Sequence, residues 1–209
     1  MITAFEPFGN DPENASALVC KALPDSGPGY RVNKRILPVE FIAGKEVLFQ
    51  AMDELRPELV LCLGQAAGRS QITPERIAVN LMDARIPDNA GWMPDEIPIL
   101  PEGPAAYFTN VPVKSVVQAA KEAGYPAAVS NSAGTYVCNC VFYSLMNRIA
   151  YTPANEATPP LWGDFIHIPC VKEQKGAEKP AMALWQAAET VRFLIEAILR
   201  QMESHIRFF

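Results

Sequence analysis

Leu59-Val60-Leu61-Cys62-Leu63-Gly64 is an unbroken apolar run closed by a glycine, the pattern of a central parallel strand covered on both faces. Upstream, Phe41 to Leu55 place Ile42, Val47, Leu48, Ala51 and Leu55 at helical spacing, and Tyr30 to Val39 alternate Val32, Ile36 and Val39 with polar partners as a strand does. Met1 to Ala4 read as an opening strand, and Asn14 as the N-cap of a helix reaching about Leu23. Strand, helix, strand thus repeats, and right-handed crossovers give an α/β protein with a mostly parallel sheet.

Downstream of Gly64 lies a long polar, proline-rich insertion from Gln65 to about Tyr107, expected to be a solvated connection with a functional role. Pro112 to Gly124 read as a helix, Ala127 to Val129 as a short strand and Val137 to Ile149 as a helix. Tyr151 to Pro160 read as a surface loop, and Phe165 to Pro169 as a strand stopped by proline. A closing helix from about Ala181 to His205 buries a stripe of Leu184, Ala188, Val191, Leu194, Ile195 and Ile198.

A chain of 209 residues, 49% hydrophobic and 20% charged, suits one compact domain over 1–209. A net charge of -5 without a Lys/Arg-rich run argues against nucleic acid as a partner. No segment approaches the roughly 20 unbroken apolar residues of a membrane span, and no secretion signal is evident, so a soluble cytoplasmic protein is expected. Five cysteines, an odd set, fit reduced thiols better than a disulfide framework.

The chemistry gathers around Ser132-Ala133-Gly134-Thr135-Tyr136-Val137-Cys138-Asn139-Cys140. Cys138 falls in the first turn of a helix, where unpaired N–H groups and the positive helix end favour an anion and would lower a thiol pKa. A thiolate nucleophile needs an imidazole, and the chain has two histidines. His205 lies in a polar tail and reads as solvated. His167 ends a strand on the sheet edge that also carries the loop after Gly64 and the start of the Cys138 helix. A third polar group would orient the imidazole, and Glu75, Asp83 and Asn139 are all candidates by position. Arg85 and Gln65 could donate toward a developing oxyanion. Phe5 and Phe8 flank the loop after the first strand, where ligands bind in open parallel sheets. A rival reading takes Cys138, Cys140, His167 and Cys170 as a metal- or thiol-binding set, against which two helical residues two apart point to nearly opposite sides.

Several stretches resemble the pyroglutamyl peptidase I (pyrrolidone-carboxylate peptidase) family of cysteine peptidases. They are Phe5-Glu6-Pro7-Phe8-Gly9, Gln65-Ala66-Ala67-Gly68-Arg69, Ile72-Thr73-Pro74-Glu75-Arg76-Ile77-Ala78-Val79-Asn80, Asp83-Ala84-Arg85-Ile86-Pro87-Asp88-Asn89, Ser132 to Asn139, and Phe165-Ile166-His167-Ile168-Pro169. The resemblance implies a three-layer α/β/α sandwich and an exopeptidase that removes an N-terminal pyroglutamyl residue from peptides, with no cofactor or metal. It implies Cys138 as nucleophile, His167 as base and Glu75 as the third member. It further implies Arg85 and the Cys138 N–H at the oxyanion, Phe5, Phe8 and Val137 as pocket walls, and a homo-oligomer, tetramer or dimer. The chain departs from the family pattern at Gly91-Trp92-Met93-Pro94, Cys140, Trp162-Gly163-Asp164 and Cys170, and these departures bear on local packing and access to the pocket.

Overall fold

The computed structural model describes residues 1–153, 160–175 and 180–206. In chain order the elements are β1 (Ile2–Phe5), α1 (Ala15–Ala22), β2 (Ser26–Gly27), β3 (Tyr30–Arg31), β4 (Lys34–Leu37), α2 (Ala43–Leu55), β5 (Leu59–Gln65), β6 (Thr73–Pro74), β7 (Ile77–Val79), β8 (Ala106–Phe108), α3 (Val113–Glu122), α4 (Val137–Ala150), β9 (Trp162–Ile168), β10 (Cys170–Val171), β11 (Ala181–Met182) and α5 (Leu184–Ile206). Five strands form the main sheet in the order β4-β1-β5-β9-β6. All run parallel except β6, which pairs antiparallel with β9.

The central strand behaves as its sequence requires. Leu59, Leu61 and Leu63 point into the core under α1, α3 and α5, while Val60 and Cys62 point into the core under α2 and α4. At about 1.5–3 kcal/mol per fully buried large side chain, this two-sided burial explains why β5 tolerates no polar position until Gln65. Strand β9 alternates in the same way. Trp162, Ile166 and Ile168 enter the first core and Phe165 the second, which sends His167 to the α4 side. The result is the expected three-layer α/β/α sandwich.

Asn14 caps α1 by accepting a hydrogen bond from the Ser16 N–H at 2.9 Å, as its position suggested. Other expectations need correction. The insertion after Gly64 is not simply solvated: it contains β6, β7 and β8 and buries Ile72, Thr73, Glu75, Ala78 and Met82. Residues 127–129 form no strand, because Ala127 and Ser130 make only single bridges to Ile72 and Glu75. The stretch read as one strand over 30–39 is broken into β3, which pairs with β2, and β4. The final helix begins at Leu184, since Ala181 and Met182 pair with β10. Of the loop expected over 151–160, residues 154–159 lie outside the described residues. Among those described, no helix is long and apolar enough to cross a membrane.

Candidate active site

The carboxyl ends of β5 and β9 lie side by side, with Gly64 paired to His167 and Gln65 to Ile168. Above them α4 begins at Val137, and its N-cap, Tyr136, supplies no side-chain hydrogen bond, so the first-turn N–H groups are left uncapped. Cys138 sits in that turn, half-buried. The approach is close enough to demand glycine beneath it: a Cβ on Gly64 would lie 2.9 Å from Cys138 Sγ and 2.7 Å from the Phe165 ring. Cys138 and His167 line one cavity of about 130 Å³ whose walls include Phe5, Phe8, Tyr136 and Val137. A larger cavity, about 510 Å³, opens at the amino ends of the strands around Met1, Leu59 and Trp162 and holds neither Cys138 nor His167.

Glu75 and His167 are both buried, and Glu75 Oε1 lies 2.7 Å from His167 Nδ1. With Nδ1 engaged, Nε2 is the nitrogen on the side away from the carboxylate. Burial alone would raise the Glu75 pKa, but the hydrogen bond and charge of His167, the Ser130 hydroxyl and Arg69 outweigh it and hold the carboxyl below its usual range. Desolvation lowers His167, with Glu75 pulling it back up and the Arg69 charge pushing it further down, so the imidazole is neutral at pH 7. Desolvation pushes the Cys138 thiol up to about 12. The Glu75 and Cys62 charges add to this, and Arg69 and the Cys138 N–H oppose it. This reverses the expectation of a thiolate stabilised by the helix end: the resting pair is thiol and neutral imidazole.

The other candidates separate cleanly. Asn139 is fully buried, and its amide is spent on β7 and the turn after it, accepting from Val79 N–H at 3.0 Å and donating to Val79 O and Leu81 O at 2.9 Å. It fastens the insertion to α4 rather than orienting the imidazole. Asp83 instead lies on a strap running to Asn89 that is tied to both cavity walls. Asp83 N–H donates to Thr135 O at 3.0 Å, Tyr136 Oη to Pro87 O at 3.0 Å, and Asn89 Nδ2 to Pro7 O at 3.0 Å. Arg85 lies exposed on the same strap, off the lining of the cavity. Gln65 does line the cavity, but its oxygen accepts from Ala15 N–H and Gln174 Nε2, and its Nε2 donates to Asp11. Its amide therefore braces the floor of the site.

The metal-site alternative is not assembled. Cys140 Sγ donates to Phe41 O at 3.4 Å on the α2 side, Cys170 is buried in β10, and no group of three or more His, Cys, Asp or Glu placed to hold a metal occurs among the described residues. What sequence reasoning missed is Arg69, whose Nη1 reaches Glu75 Oε1 at 2.7 Å. The Gly68-Arg69 pair was visible as a motif, but nothing in its spacing pointed to a carboxylate.

Fold and site together place the protein among α/β thiol hydrolases, in which a carboxylate-held imidazole serves a cysteine. A comparison of the sequence with family models narrows this class. The model described as pyroglutamyl peptidase matches residues 1–201, and the chain belongs to that family. It is 43% identical over 209 residues to a pyrrolidone-carboxylate peptidase of Bacillus cytotoxicus, covering 99% of this chain and 94% of the relative. It is 49% identical over 175 residues to one of Yersinia pestis, covering 83% and 79%. Among solved structures, the pyrrolidone carboxyl peptidase of Thermococcus litoralis superposes with a TM-score of 0.89 at 34% identity, covering 98% of this chain and 94% of that one. Pyroglutamyl peptidase I of Bacillus amyloliquefaciens gives 0.85 at 39%, covering 94% and 92%.

Proposed function

We infer that the protein is a cysteine exopeptidase that hydrolyses the amide bond after an N-terminal pyroglutamyl residue, in one catalytic domain spanning 1–209. The observation that carries the reading is the buried Glu75–His167 pair beside Cys138 in a small aromatic-walled cavity. At about 130 Å³ the cavity is well below the roughly 300–1,000 Å³ of drug-sized sites. It suits a small flat lactam between Phe5, Phe8 and Val137, and not an extended side chain.

In this mechanism His167 Nε2 accepts the Cys138 proton as Sγ attacks the scissile carbonyl, and Glu75 stabilises the imidazolium that forms. The uncapped Cys138 N–H at the start of α4 takes the developing oxyanion. His167 then gives its proton to the leaving amine as the C–N bond breaks, leaving a thioester. Water attacks the thioester while its proton passes to His167, and the thiol is re-formed as pyroglutamate departs. Proline shares the ring but lacks its carbonyl. Groups built to pair that carbonyl would be left unpaired, a penalty on the order of 10⁴-fold in discrimination.

The same reading carries self-association as a dimer or tetramer, which light scattering would test. Cysteines without disulfides support a cytoplasmic setting. The activity test is release of a fluorescent amine from a pyroglutamyl amide, beside prolyl and glutamyl amides and beside Cys138→Ala. Selective turnover lost in the variant is expected; equal turnover of the three amides, or none by the wild type in reductant, would overturn the reading.

A further inference from the structure

Among the described residues, Arg69 is the one cation bonded to the Glu75–His167 pair. It leaves the turn after β5, held by its own N–H on Ala66 O and by Gly68 at φ +84°. Its Nη1 donates to Glu75 Oε1 at 2.7 Å and also to Thr73 Oγ1. Thr73 Oγ1 in turn donates to the His167 carbonyl at 3.3 Å. Its Nη2 donates to Ser132 O at 3.1 Å, at the head of the loop that leads into α4. One planar fork therefore touches the carboxylate, the backbone of the imidazole through Thr73, and the segment that delivers the nucleophile.

We propose that Arg69 is a positioning residue of the triad, acting through Glu75: its fork fixes the carboxylate against His167 and ties that pair to the loop preceding Cys138. The proposal rests on the peptidase reading above and adds a fourth member to its machinery. Arginine suits the position for a geometric reason. A lysine ammonium could match the charge at Glu75 but, as a single point, could not also span to Ser132 O. Glu75 is fully buried and Arg69 28% exposed, so solvent screens the contact only in part.

The charge has a second effect. Among the described residues, the groups acting on the imidazole are Glu75 from the end of β6 by hydrogen bond and charge and Arg69 from the turn after β5 by charge, with Cys138 from α4 lining the same cavity. Arg69 holds both His167 and Cys138 lower than they would otherwise lie. Removing it should let the His167 pKa rise, whereas a purely structural arginine would leave that titration unchanged.

The test uses Arg69→Met, Arg69→Lys and Arg69→Ala in the full chain. The His167 ring is titrated by NMR, which needs no turnover; with two histidines in the chain, His205→Gln completes the assignment. In Arg69→Met the His167 midpoint rises, and in Arg69→Lys it stays near the wild type. For pyroglutamyl amide hydrolysis, both variants lose on the order of 10–10³-fold in kcat with KM within about twofold, because Arg69 does not line the cavity. The acid limb of kcat/KM moves up in pH for Met only, and guanidinium restores part of the Arg69→Ala activity. Unchanged titration with kcat within about twofold in Arg69→Met would overturn the proposal. A wild type that turns over no pyroglutamyl amide would instead sink the peptidase reading, and the titration would still decide whether Arg69 acts on His167.

Discussion

Gly64→Ala is the smallest change that should separate chemistry from folding. The position is ordinary extended strand, so its backbone accepts alanine, and the effect is purely steric. The new Cβ would sit 2.7 Å from two Phe165 ring carbons and 2.9 Å from Cys138 Sγ. Comfortable contacts between such atoms begin at roughly 3.5–4.0 Å, so something must yield by about 0.6–1.3 Å. Phe165 cannot retreat freely, because Phe5, Phe142 and His167 surround it at centroid distances of 6.2, 6.0 and 4.9 Å. The sulfur and the first turn of α4 are what remain to move. A displacement near 1 Å at a reacting atom is worth on the order of 10²-fold in rate, and overpacking of this kind costs about 1–3 kcal/mol of stability.

Gly163→Ala is the control. There the Cβ would meet Ile149 Cδ1 at 2.5 Å and Leu145 Cδ2 at 3.2 Å, crowding the same α4–β9 interface away from Cys138. Urea titration of both variants, with kcat on a pyroglutamyl amide, should show comparable destabilisation but a large fall in kcat for Gly64→Ala alone. If Gly64→Ala keeps kcat within about threefold of the wild type, the sulfur does not sit where this reasoning needs it.

Three further outcomes are expected. With its thiol pushed up to about 12, Cys138 should be alkylated by iodoacetamide at a rate that climbs about tenfold per pH unit from 7 to 10; a plateau below pH 8, followed by mass spectrometry at Cys138, would mean a resting thiolate–imidazolium pair. Glu75→Gln should lower kcat by about 10²–10⁴-fold while making Cys138 easier to alkylate, since the same charge that steadies an imidazolium opposes a thiolate. Asp164 is fully buried in β9, and desolvation raises its carboxyl well above its ordinary value despite the nearby Phe165 N–H and Thr109 hydroxyl. A folded-state value above the unfolded one, about 3.9, means stability is full below that pH and falls as pH rises, by up to about 1.4 kcal/mol per unit until the folded value is passed. Asp164→Asn should abolish that slope and be more stable than the wild type at pH 8 by urea titration; equal slopes in the two proteins would count against a neutral Asp164.

The parts of the fold legible in the sequence were those in which one local pattern meets one environment. The run from Leu59 to Gly64 is apolar on both faces because both faces are covered, and Asn14 and Cys138 sit at helix starts marked by local signals. The strands β6, β7 and β8 were not legible. Their stretch is paired at long range, Leu81 O with the Asn139 amide, Thr73 Oγ1 with the His167 carbonyl and Glu75 with the His167 ring, across 58 to 94 residues of sequence, and periodicity carries no information about such pairs. Arg69 lies only six residues from Glu75, but it sits in a turn with no periodicity to aim its side chain at that carboxylate. Residues alone left Glu75, Asp83 and Asn139 equivalent as partners for His167. Resemblance chose among them, and the geometry separates them because only Glu75 comes within hydrogen-bond reach of the ring.

The resting state of Cys138 follows from comparing two magnitudes that a sequence cannot weigh. A helix N-terminus favours an anion by about 0.3–1 kcal/mol, up to about 2 in partly buried geometry. Moving a thiol from 9.0 to about 12 corresponds to about 4 kcal/mol against the thiolate, at about 1.4 kcal/mol per unit. Desolvation therefore wins, and the helix end does its work later, on the oxyanion that appears once the thiol proton has moved to His167. Glu75 is then poised to favour the imidazolium and disfavour the free thiolate. The pair that accumulates charge is the one formed during attack, and a cavity lined by an uncharged thiol and imidazole has no charge of theirs to desolvate when a neutral lactam ring enters.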